Sequence, residues 1–226
     1  MICPVCRTEL ERFAPFNGRE DAQCPACGSL ERHRQQWIWL ERAEVIDRLP
    51  TMRVLDLAPH ESFGPALARV AGSYDSGDLL PGKAARVVDI GDMHDDADAS
   101  FDFIACSHVL EHVPDDGRAM RELHRVLAPG GVAILSVPLR GDTTDEDFEC
   151  DADERLRRFG QADHVRRYGW DFFTRLQAAG FETDPVDLRT LTTSAERETY
   201  GLTTHLPWLD PNARELWVLP IATKPT

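Results

Sequence analysis

Residues 101–138, FDFIACSHVLEHVPDDGRAMRELHRVLAPGGVAILSVP, decide the fold. FDFIACS is apolar enough for a buried strand, and VAILSVPL near the far end is another. Between them GRAMRELHRVL reads as a helix, closed by Pro129, Gly130 and Gly131. A strand, a helix and a strand form a crossover, which lays its two strands parallel in one sheet. The alternation continues outward. Upstream, MRVLDLA is a buried strand and SFGPALARVA a helix with Pro65 in its first turn, while SYDSGDL and ARVVDIGD are short strands around a loop. Downstream, GWDFFTRLQAAGF is a helix ending at Gly180, and FETDPVDLRT with ARELWVLPIATK reads as an antiparallel edge pair. The expected fold class is therefore α/β: a Rossmann-like, doubly wound sheet, mostly parallel, with an antiparallel edge strand.

The N-terminus follows different rules. Cys3-Pro-Val-Cys6 and Cys24-Pro-Ala-Cys27-Gly28 give two C-x2-C turns separated by seventeen residues. Two residues between cysteines let both sulfurs of a turn face one ion, and two such turns complete a tetrahedron around Zn²⁺. Four thiolates leave no open coordination position, so Cys3, Cys6, Cys24 and Cys27 are expected to hold a structural zinc. A redox dithiol would need a thioredoxin-like surrounding that is absent. The expected organisation is a zinc ribbon over 1–29, a connecting helix over 30–50, and an α/β domain over 51–226. Two stretches, 140–163 and 190–212, break the rhythm as inserted loops. The first carries the acidic run DTTDEDFECDADE, whose plain reading is a solvated face.

Composition limits the partners. The 226 residues carry a net charge of −14, and only Lys83 and Lys224 are lysines. Residues 1–50 hold seven Arg against eight Asp or Glu, so the cysteine module has no basic excess. Phosphate backbones are held by clustered cations, so nucleic acid is disfavoured as a partner. Met1 and Ile2 run straight into Cys3, without a basic segment or an apolar run, and no stretch has the length of a membrane span. A cytoplasmic location is expected, where thiols stay reduced and metal rather than disulfide suits the cysteines.

The core resembles the class I S-adenosyl-L-methionine (SAM)-dependent methyltransferases, in particular the type 11 group, over about 52–140. The resemblance rests on VLDLAPHESFG, YDSGDL, DIGDMHDDADASFDFIACSHVLEHVPDD and RELHRVLAPGGVAILSVP. It implies SAM as cofactor, bound beyond the carboxyl ends of the strands where their order reverses. Asp56 would orient the turn holding the methionine part, with Ala58 in that turn. Asp78, 22 residues on, would accept hydrogen bonds from the ribose diol, with Leu79 beside it. Asp92 would sit near the adenine amino group, Met93 against the ring, and Ser107 at the end of the next strand. One departure is plain: the family's D-x-G-x-G-x-G is here Asp56-Leu57-Ala58-Pro59-His60-Glu61-Ser62-Phe63-Gly64, without its first glycines.

Methyl transfer from a sulfonium needs alignment first, and a base only if the nucleophile must lose a proton. His108, His164 and Tyr168 are the candidate catalytic residues. His164 and Tyr168 lie in QADHVRRYGWDF, whose Arg166 and Arg167 either hold an anionic acceptor or lock a lid by salt bridges. His205 and Trp208 are candidates for the far wall of the acceptor pocket. HVLEH also matches the zinc-protease pattern H-x-x-E-H, but that motif needs a helix with a ligand downstream, and His112 reads as a packed helix residue. The expected activity is methyl transfer to a small-molecule acceptor. The alternatives are an RNA or protein methyltransferase that uses the ribbon for recognition, and a non-methylating SAM enzyme.

Overall fold

The computed structural model describes residues 1–203 and 213–226. In chain order the elements begin β1 Ala14–Phe16, β2 Arg19–Gln23, α1 Glu31–Arg42, α2 Val45–Arg48, β3 Arg53–Leu57, α3 Gly64–Val70 and β4 Ser73–Asp78. They continue β5 Arg86–Val87, β6 Phe101–Ser107, α4 Asp116–Val126, β7 Leu127–Ser136, β8 Asp145–Glu146, α5 Ala152–Phe159 and β9 Arg166–Arg167. The last are α6 Phe172–Ala178, β10 Glu182–Asp187, α7 Leu188–Leu191, α8 Ser194–Thr199 and β11 Val218–Thr223. The chain forms two compact units.

One unit comprises Met52–Pro59, Tyr74–Pro185 and Pro220–Thr226 and carries most of a seven-stranded sheet. Its order is β10-β11-β7-β6-β3-β4-β5. β6 runs parallel to both β3 and β7, β4 runs parallel to β5, and β11 is antiparallel to β7. The expected mostly parallel sheet with an antiparallel edge is thus present. Strand order reverses between β3 and β6, and the carboxyl ends on both sides of that point frame the site described below. The sequence explains the central strands: Leu55 and Leu57 on β3, Ile104 and Cys106 on β6 and Leu135 on β7 are buried in one cluster. α4 joins it through Ala119, Met120, Leu123 and Val126, which recur at helical spacing on one face. Asp115 caps α4 by accepting the Arg118 N–H at 2.9 Å. Burying a leucine side chain contributes about 1.5–3 kcal/mol, so this face is a main part of what holds the helix on the sheet.

The acidic stretch in this unit is more ordered than a solvated loop. β8 pairs with β9, and α5 follows. Arg158 reaches Asp145 and Asp147 at 2.6 Å each, and Arg175 bridges Glu146 and Asp116 at 3.0 Å each. The carboxylates were legible as a run, but their partners lie 11 to 29 residues further along the chain.

The other unit comprises Met1–Thr51, His60–Ser73 and Val186–Leu219. β1 and β2 form an antiparallel hairpin across Asn17 and Gly18, both at positive φ, a turn that suits the right-handed strand twist. α1 ends at Arg42, and the chain passes through Glu44 at φ 56° before restarting as α2, so the helix expected over 30–50 is interrupted. The fully buried Arg34 on α1 donates to the carbonyls of Ala22, Ser29, Tyr200 and Gly201 and lies over the Phe13 ring at 3.9 Å. A Cβ at Gly201 would stand 2.4 Å from Phe13, so the residue there is glycine by contact as well as by its positive φ. No helix among the described residues is long and apolar enough to cross a membrane.

Candidate functional site

The cysteines of the unit that holds Met1–Thr51 converge. The Sγ atoms of Cys3 and Cys27 are 3.7 Å apart, and those of Cys6 and Cys24 are 3.8 Å apart. A tetrahedral site with Zn–S bonds of about 2.3 Å has sulfurs about 3.8 Å apart. A disulfide needs about 2.05 Å, and all four are free thiols. The two turns are built alike. Arg7 N–H donates to the Cys3 carbonyl and Gly28 N–H to the Cys24 carbonyl, both at 2.8 Å. Cys3 N–H donates to Thr8 and Cys24 N–H to Ser29. Arg7 at φ 63° and Gly28 at φ 78° occupy the same left-handed position in each. The donor set and its spacing fit a tetrathiolate metal.

In the other unit a cavity of about 550 Å³ opens beyond the carboxyl ends of the strands. That volume is within the range of small-molecule sites. Ala58 from the turn after β3, Asp78 and Leu79 at the end of β4, Asp89 and Ile90 after β5, and His108 after β6 line it. Ala58 takes φ 52°, the conformation that a glycine of the expected loop motif would take, and donates its N–H to the Gly77 carbonyl at 2.8 Å. Gly77 is required where it stands: a Cβ there would lie 2.5 Å from Val88 Cγ2. Asp78 accepts the Leu80 N–H at 2.8 Å through Oδ1, which fixes its carboxylate at the cavity wall. These features form a cradle with one acidic edge and apolar faces, which fits an adenosine group.

The other expected cofactor residues are placed differently. Asp56 is buried and receives the Tyr74 hydroxyl at 2.9 Å; burial pushes its carboxyl up to about 7 against the opposing pull of that hydrogen bond. Asp92 is half-exposed and faces Arg118 at 3.3 Å. Met93 is buried, with its backbone tied to Glu122 and Arg125. Ser107 closes β6. None of these four lines the cavity. Asp89 occupies the wall instead, two residues after the short β5 ends at Val87. The strand end was the signal that could have found it.

The candidate catalytic residues also separate. His108 reaches the cavity from a left-handed backbone, φ 58°, and its Nδ1 meets Glu111 Oε1 at 3.1 Å. Glu111 is buried. His164 is buried, with Nδ1 at 3.0 Å from the Phe159 carbonyl, and burial lowers its pKa. Its ring meets that of His112 edge-on, 4.6 Å between centroids. Tyr168 is fully buried and donates to Asp116 at 2.8 Å; burial raises its phenol pKa. Arg166 is 1% exposed and donates to the carbonyls of Leu110, Val113 and Pro114 and to Glu146. These bonds occupy Arg166 within the fold and place it in the locking arrangement. His205 and Trp208 lie outside the described residues.

Comparison with known proteins adds family evidence. The family described as "Methyltransferase domain" matches residues 25–186. A ubiquinone biosynthesis O-methyltransferase of Xanthomonas campestris pv. campestris is 31% identical over 147 residues, 58% of this chain and 60% of that protein. One from Xanthomonas oryzae pv. oryzae is 41% identical over the same shares. The chain thus spans about three fifths of the length of these two relatives. A solved S-adenosylmethionine-dependent methyltransferase from Mesorhizobium loti aligns with a TM-score of 0.51 at 18% identity, over 81% of this chain and 96% of that one. At that identity the likeness is one of fold.

Proposed function

The chain belongs to the methyltransferase-domain family, and on that premise we propose that it methylates a small-molecule acceptor, at oxygen as the names of its relatives indicate, using S-adenosyl-L-methionine. The observation that carries the reading is the cavity itself: Ala58, Asp78 and Asp89 come from three successive strand ends and line one wall system beside a strand-order reversal. Bound SAM supplies a methyl group on a positively charged sulfur, already a good leaving group.

The chain's own residues supply position and proton handling. Asp78 offers a carboxylate to a ribose diol. Leu79 and Ile90 present apolar surface suited to a base. Asp89 is the nearer acid for polar atoms of that base, in place of the expected Asp92. The Ala58 turn lets backbone approach the amino-acid part of the cofactor. His108 has one ring nitrogen held by Glu111, which leaves the other to accept a proton from an acceptor hydroxyl at the cavity. Tyr168 and Arg166 act as positioning residues, because their polar groups already hold the segments after β6 and β9.

Cys3, Cys6, Cys24 and Cys27 hold one structural zinc in this reading, supported by their sulfur spacing. The test of the activity is formation of S-adenosylhomocysteine from SAM with a panel of small phenols. Turnover with no member of a broad panel of hydroxyl acceptors, by a protein that binds SAM, would count against it.

A further inference from the structure

Of the H-x-x-E-H pattern over His108 to His112, His108 serves the cavity, and the fold puts the rest to a different use from that of a helical protease motif. Leu110–His112 is a single 3-10 turn, not a long helix. That turn swings Glu111 and His112 toward His164, from the segment between α5 and β9. One ligand atom from each of Glu111, His112 and His164 lies within 4.8 Å of the others.

Two buried polar atoms of this group have nothing to bond. Glu111 is 1% exposed and His164 3% exposed, yet Glu111 Oε2 and His164 Nε2 have no hydrogen-bond partner among the described residues. An unsatisfied buried polar atom costs about 1–3 kcal/mol, and two in one small cluster call for a ligand.

The remaining atoms of the same side chains are all held from outside. His108 Nδ1 meets the other Glu111 oxygen at 3.1 Å. The Phe159 carbonyl accepts from His164 Nδ1, so that nitrogen carries the proton and Nε2 presents a lone pair. Asp163 meets His112 Nδ1 at 3.3 Å, which leaves Nε2 for a ligand. Metal-binding histidines and carboxylates show this division, one atom on the metal and the other on a carboxylate, carbonyl or neighbouring donor.

We propose that Glu111, His112 and His164 form a second metal site, a two-histidine, one-carboxylate centre for a divalent transition ion, zinc foremost. Bonds of about 2.0–2.2 Å set ligand atoms about 3.4 Å apart in a tetrahedron, a separation the three side chains reach by small rotations. Three protein ligands leave at least one position open, and His112 lines the cavity, so that position is available to an oxygen of a bound molecule. The site is separate from the four cysteines and does not depend on the methyl-transfer reading.

The test uses the full chain, depleted of metal and titrated with Zn²⁺ and with Co²⁺. The wild type binds two equivalents, one with the intense sulfur-to-cobalt absorption of a thiolate site and one without it. Glu111→Gln and His164→Ala lose the second equivalent, or bind it at least about 10-fold more weakly, and keep the first; Cys24→Ser does the reverse. His112→Gln changes a half-exposed side chain and serves as the variant that keeps the fold, with circular dichroism as the check on all four. A single equivalent in the wild type, or a second that survives all three of the Glu111, His112 and His164 changes, overturns the site. SAM binding measured on the metal-depleted chain separates the two readings: it reports on the cofactor cavity whatever happens at Glu111.

Discussion

Ala58 donates its backbone N–H to the carbonyl of Gly77 at 2.8 Å while holding φ at 52°, so an alanine closes a turn built for glycine. A left-handed alanine costs about 1 kcal/mol or slightly more relative to glycine. Ala58→Gly is expected to raise stability by about 1 kcal/mol, read from the urea midpoint. Gly77→Ala is expected to lower it by about 2 kcal/mol or more, because its Cβ would meet Val88 Cγ2 at 2.5 Å. A destabilised Ala58→Gly protein would show that the turn is set by something other than the backbone.

Asp56 gives the protein a distinctive pH response. Its folded-state pKa is pushed up to about 7 by burial, above an unfolded value near ~3.9. Below about pH 4 both states are protonated and the group contributes no penalty. As pH rises from 4 to 7 the unfolded chain releases the proton first, so stability falls, and the full cost is present above 7. Asp56→Asn abolishes this slope. The stability difference between Asp56→Asn and wild type should therefore grow by about 3–4 kcal/mol from pH 4 to pH 8. A difference that stays flat over that range would contradict the burial argument.

Arg34 joins the cysteine turns, α1 and the residues after α8 through four carbonyls. Arg34→Met keeps the volume and removes every donor. Buried carbonyls left without partners make a loss of about 3 kcal/mol or more, seen as a lower denaturation midpoint. A midpoint within experimental error of wild type would show that the network is replaceable.

Metal removal follows the same logic at the cysteines. Chelation, or Cys24→Ser, is expected to lower Tm by about 5–10 °C, equivalent to about 2–4 kcal/mol for a chain of this size. Refilling with zinc should restore the chelated protein. A metal-free protein with unchanged Tm would remove the structural role from the four sulfurs.

Much of this was legible in the residues, and the exceptions have physical causes. The crossover from FDFIACS to VAILSVPL stood out because buried parallel strands are apolar on both faces and α4 keeps a 3.6-residue period. Cys3, Cys6, Cys24 and Cys27 stood out because metal geometry constrains spacing locally. The hairpin between them was also open to reading, since Asn17-Gly18 is a strong turn signal. Asp89 rather than Asp92 lines the cavity, and that placement was not legible because β5 is only two residues long, so the strand end could not be located by periodicity. The acidic stretch read as a loop because its partners, Arg158, Arg166 and Arg175, come from elements beyond it. Glu111 and His164 are 53 positions apart in sequence, and only the fold places them side by side.

The most direct measurement is calorimetric titration of SAM into the wild type and three variants. The cavity predicts binding by the wild type, a 10- to 100-fold loss (about 1.5–3 kcal/mol) in Asp78→Ala, a loss in Asp89→Ala, and near wild-type affinity in Asp92→Ala. Wild-type protein that does not bind SAM, or an Asp78→Ala variant that binds it as tightly as wild type, would contradict the account.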